Sequence, residues 1–179
     1  MKTAKSLSLT AVAAVIMITA LTHCTEKTPV VVQPFSADEE ETAKKEIAGR
    51  IEEIIEGGKK LDIDAAIKPY DDSDAFRLVT PDGRVTDYAT MKKEQLEFSK
   101  QLTSLLFTTV KQDFNLLSKT LLLCTWTGTN EFELKTGERF KIDPYVGSML
   151  FSKTGGEWKI IYAHESAAPP VQTNVTHQP

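Results

Sequence analysis

The sequence predicts an α+β domain in which helices come first and a long antiparallel sheet follows. Three observations support this prediction. Most apolar residues between Ser36 and Leu106 recur at helical spacing, whereas those after about Phe107 recur every second residue. The connections between the later apolar runs are also short, as in antiparallel hairpins. In such a layout the helices cover the concave face of the sheet.

The chain begins with the features of an export signal. Lys2 and Lys5 precede an uncharged, mostly apolar run from residue 7 to residue 21. This run is too short, and ends too abruptly, to span a bilayer comfortably. We therefore expect residues 1–23 to be a signal peptide and the protein to be exported.

The end of this run resembles the lipid-attachment motif of bacterial lipoproteins. Leu21, Thr22 and Cys24 match that motif, whereas His23 stands where lipoproteins usually carry a small residue. We expect a lipid on Cys24 to anchor the protein to a bacterial membrane, on the periplasmic or the cell-surface side. The alternative is an ordinary secretory signal cleaved nearby. Residues 24–35 contain two prolines and no helical period, which predicts a tether.

Composition argues against two classes of partner. The formal net charge is −4 and the sequence shows no cluster of lysines and arginines. Because phosphate binding needs clustered positive charge, we expect no nucleic-acid partner. His23 falls in the signal and His177 in the polar tail over residues 171–179, which leaves one histidine and no paired cysteines in the domain. We therefore expect neither a metal site nor a cofactor.

Two helices are predicted at the start of the domain, which we place at residues 36–170. Ser36 and Glu39 have the spacing of a capping box, and Gly57-Gly58 is expected to end the first helix. The apolar stripe of that helix consists of Ile47, Ile51, Ile54 and Ile55. A short second helix is expected to stop before Pro69, because a residue that precedes proline is pushed out of the helical conformation.

A hairpin and a third helix follow. Residues 75–88 contain two extended runs around Pro81-Asp82-Gly83, which is a turn sequence. Thr90 is expected to open the third helix. The apolar positions assigned to this helix are Met91, Leu96, Phe98, Leu102, Leu105 and Leu106.

Four successive strands make up the rest of the domain. Their alternating residues are Phe114 and Leu116; Leu122, Cys124 and Trp126; Val146, Ser148 and Leu150; and Trp158, Ile160 and Tyr162. Pro144 cannot donate a hydrogen bond to a neighbouring strand, so its position predicts a bulge or a sheet edge.

The order of these elements and the last strand resemble the nuclear transport factor 2-like superfamily, and within it the SnoaL-like and calcium/calmodulin-dependent kinase association-domain branches. The matching positions are Gly156, Trp158, Ile160, His164, Ser166, Ala168 and Pro169. The resemblance implies a cone-shaped fold with a strongly curved sheet and an interior ligand pocket or active site. It also implies a homodimer or larger ring formed through the sheet.

The resemblance also bears on the last strand's chemistry. In the kinase association domains an arginine stands between the histidine and the serine, and a second arginine one strand earlier helps it to bind anions. Here those positions carry Glu165 and Met149, so the anion site of that branch is not expected. Strict alternation places Trp158, Ile160, Tyr162, His164 and Ser166 on one face and Ile161, Ala163 and Glu165 on the other.

Glu165 is the sharpest candidate for chemistry, because a carboxylate inside the cone would be partly desolvated and could exchange protons near neutral pH. The alternative is a solvated charge at the end of a strand. His164 as a general base competes with a packing or interface role, and Ser166 lacks the context of a nucleophile. The expected pocket residues are Tyr70, Phe76, Trp126, Tyr145, Met149 and Glu165, with Asp71 and Asp143 as further possible partners of Glu165.

Three functions remain open at this level. The first is a domain that binds a small ligand in its cone pocket. The second is a small isomerase, dehydratase or hydrolase that uses Glu165 with Tyr70 or Tyr145 for proton transfer. The third is an assembly module whose outer sheet face is the functional surface.

Overall fold

The computed structural model describes residues 35–173, which form an α+β domain of helices packed on a sheet. The signal peptide, Cys24, all but the last residue of the tether and the tail after Thr173 lie outside the described residues. The helices are α1 (Ala37–Lys59), α2 (Ile63–Ile67) and α3 (Tyr88–Ser99). The strands are β1 (Arg77–Val79), β2 (Val85–Thr86), β3 (Leu102–Ser118), β4 (Leu121–Leu134), β5 (Arg139–Thr154), β6 (Glu157–Ala167) and β7 (Val171–Gln172).

The strands form one mixed sheet in the order β2-β1-β6-β5-β4-β3, and β7 pairs with β5. The predicted meander of β3 to β6 is confirmed, since each of these strands pairs antiparallel with the next. The sheet is not wholly antiparallel, because β1 pairs in parallel with β6. The hairpin of β1 and β2 thus extends the sheet beyond the last strand of the meander.

The first helix begins as predicted but ends later. Ser36 accepts a hydrogen bond from the Glu39 backbone N–H at 3.2 Å, and the Glu39 carboxylate accepts one from the Ser36 N–H at 2.9 Å. The helix continues through Gly57 and Gly58 to Lys59. These glycines therefore do not terminate it. A Cβ atom on Gly57 would lie 2.4 Å from the backbone nitrogen of Ala66, so this glycine allows α2 to pack closely.

The third helix is shorter than the sequence predicts. It begins after Asp87, whose carboxylate accepts a hydrogen bond from the Thr90 N–H at 2.8 Å, so Thr90 lies inside the first turn. It ends at Ser99. Three leucines assigned to the helix, Leu102, Leu105 and Leu106, belong to β3 instead. Their spacing is helical, but a register shift between Leu102 and Ser104 breaks the strand's alternation, so Leu102 and Leu105 are both buried while Leu106 is exposed.

A bulge at Ile161 changes which residues of β6 face the interior. Leu150 pairs with Tyr162 and the next residue, Phe151, pairs with Ile160, so Ile161 has no partner in the register. One extra residue reverses the alternation. The list of Trp158, Ile160, Tyr162, His164 and Ser166 as one face was therefore wrong. Trp158 and Ile160 share the inner face with Ala163 and Glu165, whereas Tyr162, His164 and Ser166 are exposed.

A second irregularity lies where Pro144 predicts it. The register of β4 and β5 shifts between Gly128 and Asn130, opposite the segment of β5 that contains Pro144. The sheet also continues past the predicted end of the domain at residue 170. Val171 and Gln172 pair with Lys141 and Phe140, because the chain folds back beside the start of β5.

The core lies between the helices and the inner face of the sheet. Its largest fully buried side chains include Phe76, Phe151, Ile47, Leu122 and Ile160. In the part of the chain from residue 35 to residue 173, no helix is both long and apolar enough to cross a membrane.

Candidate functional site

A cavity of about 230 Å³ lies between the three helices and the inner face of the sheet. Helices α1 and α2 contribute the isoleucines Ile51, Ile54, Ile55, Ile63 and Ile67. Helix α3 contributes Met91, Gln95 and Phe98, and the strands contribute Leu78, Leu105, Phe107, Trp126, Met149 and Ala163. The wall is therefore mainly apolar, as in protein pockets that hold small molecules.

The cavity remains open partly because glycine lines it on both sides. Gly58 faces it from α1 and Gly147 from β5. Gly147 lies in the register between Trp126 on β4 and Glu165 on β6. A Cβ atom added there would have only the Met149 methyl as a neighbour, at 3.9 Å. The missing side chain leaves space directly beside the carboxylate.

Glu165 points into this cavity because of the bulge at Ile161. Tyr145 and Tyr70 line the same space, so a carboxylate and two phenols face one apolar interior. The Tyr145 hydroxyl and the Glu165 carboxylate interact, and each changes the pKa of the other. The ring of Tyr145 is held edge-on against Trp126 and Phe107, with centroid separations of 6.3 and 6.1 Å. These ring contacts fix the position of the phenol.

Burial changes the acidity of all three groups. Desolvation raises the pKa of Glu165, although the interaction with the Tyr145 hydroxyl opposes part of this increase. The pKa of Tyr145 is also raised, first by burial and then by the negative charge of Glu165. Burial and the same charge raise the pKa of Tyr70. Both phenols therefore remain protonated at neutral pH, and Glu165 is a weaker acid than an exposed glutamate.

Two polar residues that the sequence does not predict at the site also line the cavity, Asn130 and Gln95. Asn130 is only 8% exposed, and its side-chain oxygen has no hydrogen-bond partner among the described residues. The alternation of β4 contained the signal, because Asn130 lies four residues after Trp126 and so shares its face.

The structure brings together five of the six residues expected in the pocket. Tyr70, Trp126, Tyr145, Met149 and Glu165 line the cavity. Phe76 does not line it. This ring is fully buried behind Tyr70, with centroids 5.6 Å apart, and is part of the core. Phe76 directly precedes β1, and its ring also makes an edge-on contact with Tyr88 at the start of α3.

The remaining candidates lie elsewhere. Asp71 is hydrogen-bonded to Ser73 at 2.6 Å, and Asp143 is exposed and paired with Lys141 at 3.1 Å. Neither lines the cavity. His164 is exposed on the outer face rather than packed beside Trp158. Within residues 35–173 no cluster of histidine, cysteine, aspartate and glutamate side chains has the arrangement of a metal site.

Solved structures show the same fold. A hexachlorocyclohexane dehydrochlorinase, LinA type 3 from Novosphingobium barchaimii, superposes with a TM-score of 0.65 at 9% identity, covering 80% of this chain and 99% of that one. A candidate scytalone dehydratase from Novosphingobium aromaticivorans gives 0.69 at 8%, covering 79% and 94%. A nuclear transport factor 2-like protein of unknown function from Shewanella oneidensis gives 0.56 at 17%, covering 69% and 98%.

The chain therefore has the nuclear transport factor 2-like fold, as the sequence predicts. No protein-family model matches the sequence, and a search of curated proteins finds no match. At these identities the likeness concerns the fold alone.

Proposed function

We propose that the domain binds a small, mainly apolar molecule in its interior cavity, with the Glu165–Tyr145 pair as the polar anchor. One observation carries the proposal: a partly desolvated carboxyl group and its phenol partner face an apolar space of about 230 Å³. Tyr145 offsets only part of the cost of burying this carboxyl group, since the pKa of Glu165 remains raised. Its position beside Gly147, where space is left open, suits a site for a bound molecule.

Native mass spectrometry tests this proposal. The protein is purified gently from its own cells and compared with a Glu165→Gln variant and with Glu52→Gln, which changes an exposed glutamate on α1. We expect a retained small mass in the wild type and in Glu52→Gln, and its loss in Glu165→Gln. The same mass in all three proteins would contradict the assignment of Glu165 as the anchor.

A second candidate function is proton transfer on the bound molecule. The observation that favours it is that Glu165 and Tyr145 line the same cavity and interact there, since an acid and a base that face one cavity can act on the same molecule. Two of the structural neighbours are described as a dehydrochlorinase and a candidate dehydratase, both of which are eliminating enzymes.

The residues suit the removal of water from a β-hydroxy ketone. The Glu165 carboxylate would take the proton from the carbon beside the carbonyl. As the C=C bond forms and the C–O bond breaks, Tyr145 would give its proton to the departing hydroxyl to make water. The proton on Glu165 then returns to Tyr145 and restores both groups. Tyr145 stays protonated beforehand because burial raises its pKa.

This candidate is tested with 4-hydroxy-4-phenylbutan-2-one, whose dehydration produces a conjugated enone with strong ultraviolet absorption. We expect turnover by the wild type, none by Glu165→Gln, and a rate lowered about 100-fold or more by Tyr145→Phe. Because Glu165 must be ionised and its pKa is raised, the rate should fall as the pH decreases through that raised value. Equal rates in wild type and Glu165→Gln would exclude this chemistry.

We also propose that the domain pairs through the outer face of its sheet. Leu123, Leu150 and Tyr162 are neighbours in the register of β4, β5 and β6, and Tyr162 is 39% exposed. Light scattering after size exclusion should give a dimer for the wild type and for Val85→Lys, which changes an exposed residue of β2. Tyr162→Lys should give a monomer, and a wild type that is monomeric at high concentration would contradict pairing.

Export and lipidation of Cys24 are part of the same proposal and rest on the sequence at residues 1–24. Growth of the bacterial cells with labelled palmitate should label the wild type and leave Cys24→Ala unlabelled. Label retained in Cys24→Ala, or found on neither protein, would contradict an anchor at this cysteine.

A further inference from the structure

We propose that Asn130 forms a second polar subsite of the cavity, where its side-chain oxygen accepts a hydrogen bond from a hydroxyl or N–H group on a ligand of one or two fused rings. This inference rests on the proposed binding function and specifies the chemical class of the ligand. It concerns a residue that the Glu165–Tyr145 anchor does not involve.

The side-chain oxygen of Asn130 is buried without a partner in the described part of the chain. Asn130 is 8% exposed and lines the cavity, yet its Oδ1 atom has no partner among the described residues. Most buried polar atoms in proteins are hydrogen-bonded, so an exception calls for an explanation. The inner-face neighbours of Asn130 are apolar: Phe107 pairs with it on β3, and Trp126 lies four residues earlier on β4. An apolar residue would satisfy packing at this position better than asparagine does.

Asn130 also lies apart from Glu165 along the sheet. Trp126 pairs with Gly147, which in turn pairs with Glu165, so the row that contains the anchor crosses β4 at Trp126. Asn130 lies four residues further along β4, or about 13 Å at the usual rise per residue. A ligand group at Asn130 is therefore not the group that meets Glu165. The two polar sites can each recognise a different part of one molecule.

The size and the aromatic lining of the cavity suit a ligand with rings. A dry apolar cavity of about 150 Å³ holds one benzene ring. The cavity here is about 230 Å³ and has the aromatic side chains Phe98, Phe107 and Trp126 in its wall. Edge and face contacts with these rings favour an aromatic body over a flexible chain. One or two fused rings fill this space, and the donor group of the ligand then meets Asn130.

Indole and indene test the inference, because they have nearly the same shape and only indole carries an N–H donor. Their affinities are measured by calorimetry on the wild type, on Asn130→Leu and on Asn115→Leu. Asn115 is an exposed asparagine on β3 of the same sheet and serves as the matched control. We expect the wild type and Asn115→Leu to bind indole about tenfold more tightly than indene. Asn130→Leu should lose that preference and bind indene at least as well as the wild type.

The stability of Asn130→Leu gives a second readout. If the asparagine serves ligand binding rather than folding, the leucine variant without ligand should unfold at a temperature a few degrees higher, because an unpaired buried polar group has been removed. A lower unfolding temperature would identify Asn130 as a structural residue and overturn the inference.

The outcomes separate this inference from the proposal beneath it. If the wild type binds indole and indene equally, or Asn130→Leu keeps the preference for indole, the cavity binds ligands but the Asn130 subsite is wrong. If the wild type binds neither molecule, the proposed function fails and the inference fails with it.

Discussion

Glu165 and Glu46 are both glutamates beside the core, but their surroundings change their pKa values in opposite directions. Desolvation in the cavity raises the pKa of Glu165 above its ordinary value of 4.5. Glu46 accepts hydrogen bonds from Lys153 at 2.7 Å and from the Trp158 ring nitrogen at 2.8 Å, and the bond from Lys153 is the main reason that its pKa is lowered. The two residues should therefore have opposite effects on the pH dependence of folding.

Replacing Glu165 by glutamine should stabilise the protein at neutral pH. The raised pKa means that the folded state binds the Glu165 proton more tightly than the unfolded state does. The anion is therefore destabilising in the folded protein. The contribution of Glu165 to stability is thus fully present below pH 4.5 and is lost as the pH rises through the raised value. Urea unfolding at pH 8 should give a higher midpoint for Glu165→Gln than for the wild type, and the gap should shrink toward pH 4.5.

The variant Glu52→Gln, which changes an exposed residue, is the control for this measurement. Its urea midpoint should change between pH 8 and pH 4.5 by the same amount as that of the wild type. A midpoint for Glu165→Gln that is below that of the wild type at pH 8 would show that the carboxylate is stabilised rather than destabilised by its surroundings.

Filling the space at Gly147 should block ligand binding without loss of the fold. Because the nearest contact of a Cβ atom there is the Met149 methyl at 3.9 Å, Gly147→Val places its methyl groups in the cavity. We expect the variant to lose any retained ligand in native mass spectrometry while its circular dichroism spectrum and unfolding temperature are maintained. Retention of the ligand by a folded Gly147→Val protein would place the binding site elsewhere.

Helices α1 and α2 pack closely because Gly57 of α1 has no side chain where Ala66 of α2 approaches it. A methyl group on Gly57 would lie 2.4 to 2.9 Å from the backbone and side chain of Ala66, whereas one on Gly49 would meet nothing within 4 Å. Gly57→Ala should therefore lower the free energy of unfolding by about 1 to 3 kcal/mol, since α2 must move. Gly49→Ala, in the exposed interior of the same helix, should raise it by about 0.5 to 1 kcal/mol.

Chemical denaturation measures both variants under the same conditions. Destabilisation by Gly49→Ala as large as that by Gly57→Ala would mean that the contact with Ala66 is not the cause.

Much of this architecture follows from the sequence, because local patterns specify it. The capping box at Ser36, the turn before Gly83 and the bulge beside Pro144 each depend on residues close together in the chain. The bulge at Ile161 has no such local signal, since neither glycine nor proline marks it. It depends on the pairing of β6 with β5. The prediction that Trp158 and His164 share one face is wrong for that reason.

The candidate site divides in the same way. Glu165 and Tyr145 could be predicted as pocket residues through the resemblance to a known fold, whereas strict alternation along β6 fails at the Ile161 bulge. Asn130 was missed although the alternation of Trp126 extends to it. Phe76 was misplaced because burial in a core and exposure to a cavity leave the same apolar pattern in a sequence.

At the scale of the whole molecule, Glu46 connects the first helix to two strands of the sheet. Its partners Lys153 and Trp158 lie on β5 and β6, and the Lys153 ammonium lies 5.4 Å from the centre of the Trp158 ring. Glu46→Ala removes the acceptor of the partly buried indole N–H and should lower the free energy of unfolding by about 1 to 2 kcal/mol at pH 7. Glu46→Gln keeps an acceptor and should cost less.

Glu46 and Glu165 change the free energy of unfolding with pH in opposite directions. Because its folded pKa is lowered, Glu46 contributes stability above pH 4.5 that is lost as the pH falls through the lower value. Unfolding curves of the wild type and Glu46→Gln should therefore converge in acid. The charge is partly exposed, so the effect is reduced by solvent screening. A constant gap from pH 7 down to pH 3 would show that the charge of Glu46 does not matter.

We propose that the space between the helices and the sheet is a binding site. This proposal is best examined by titrating the protein with indole and following the isoleucine methyl signals in nuclear magnetic resonance spectra. The signals of the lining residues should move: Ile51, Ile54, Ile55, Ile63 and Ile67. The signals of Ile47 and Ile160, which are buried in the core away from the cavity wall, should remain in place. Shifts confined to exposed methyl groups, or none at saturating indole, would show that indole does not bind between the helices and the sheet.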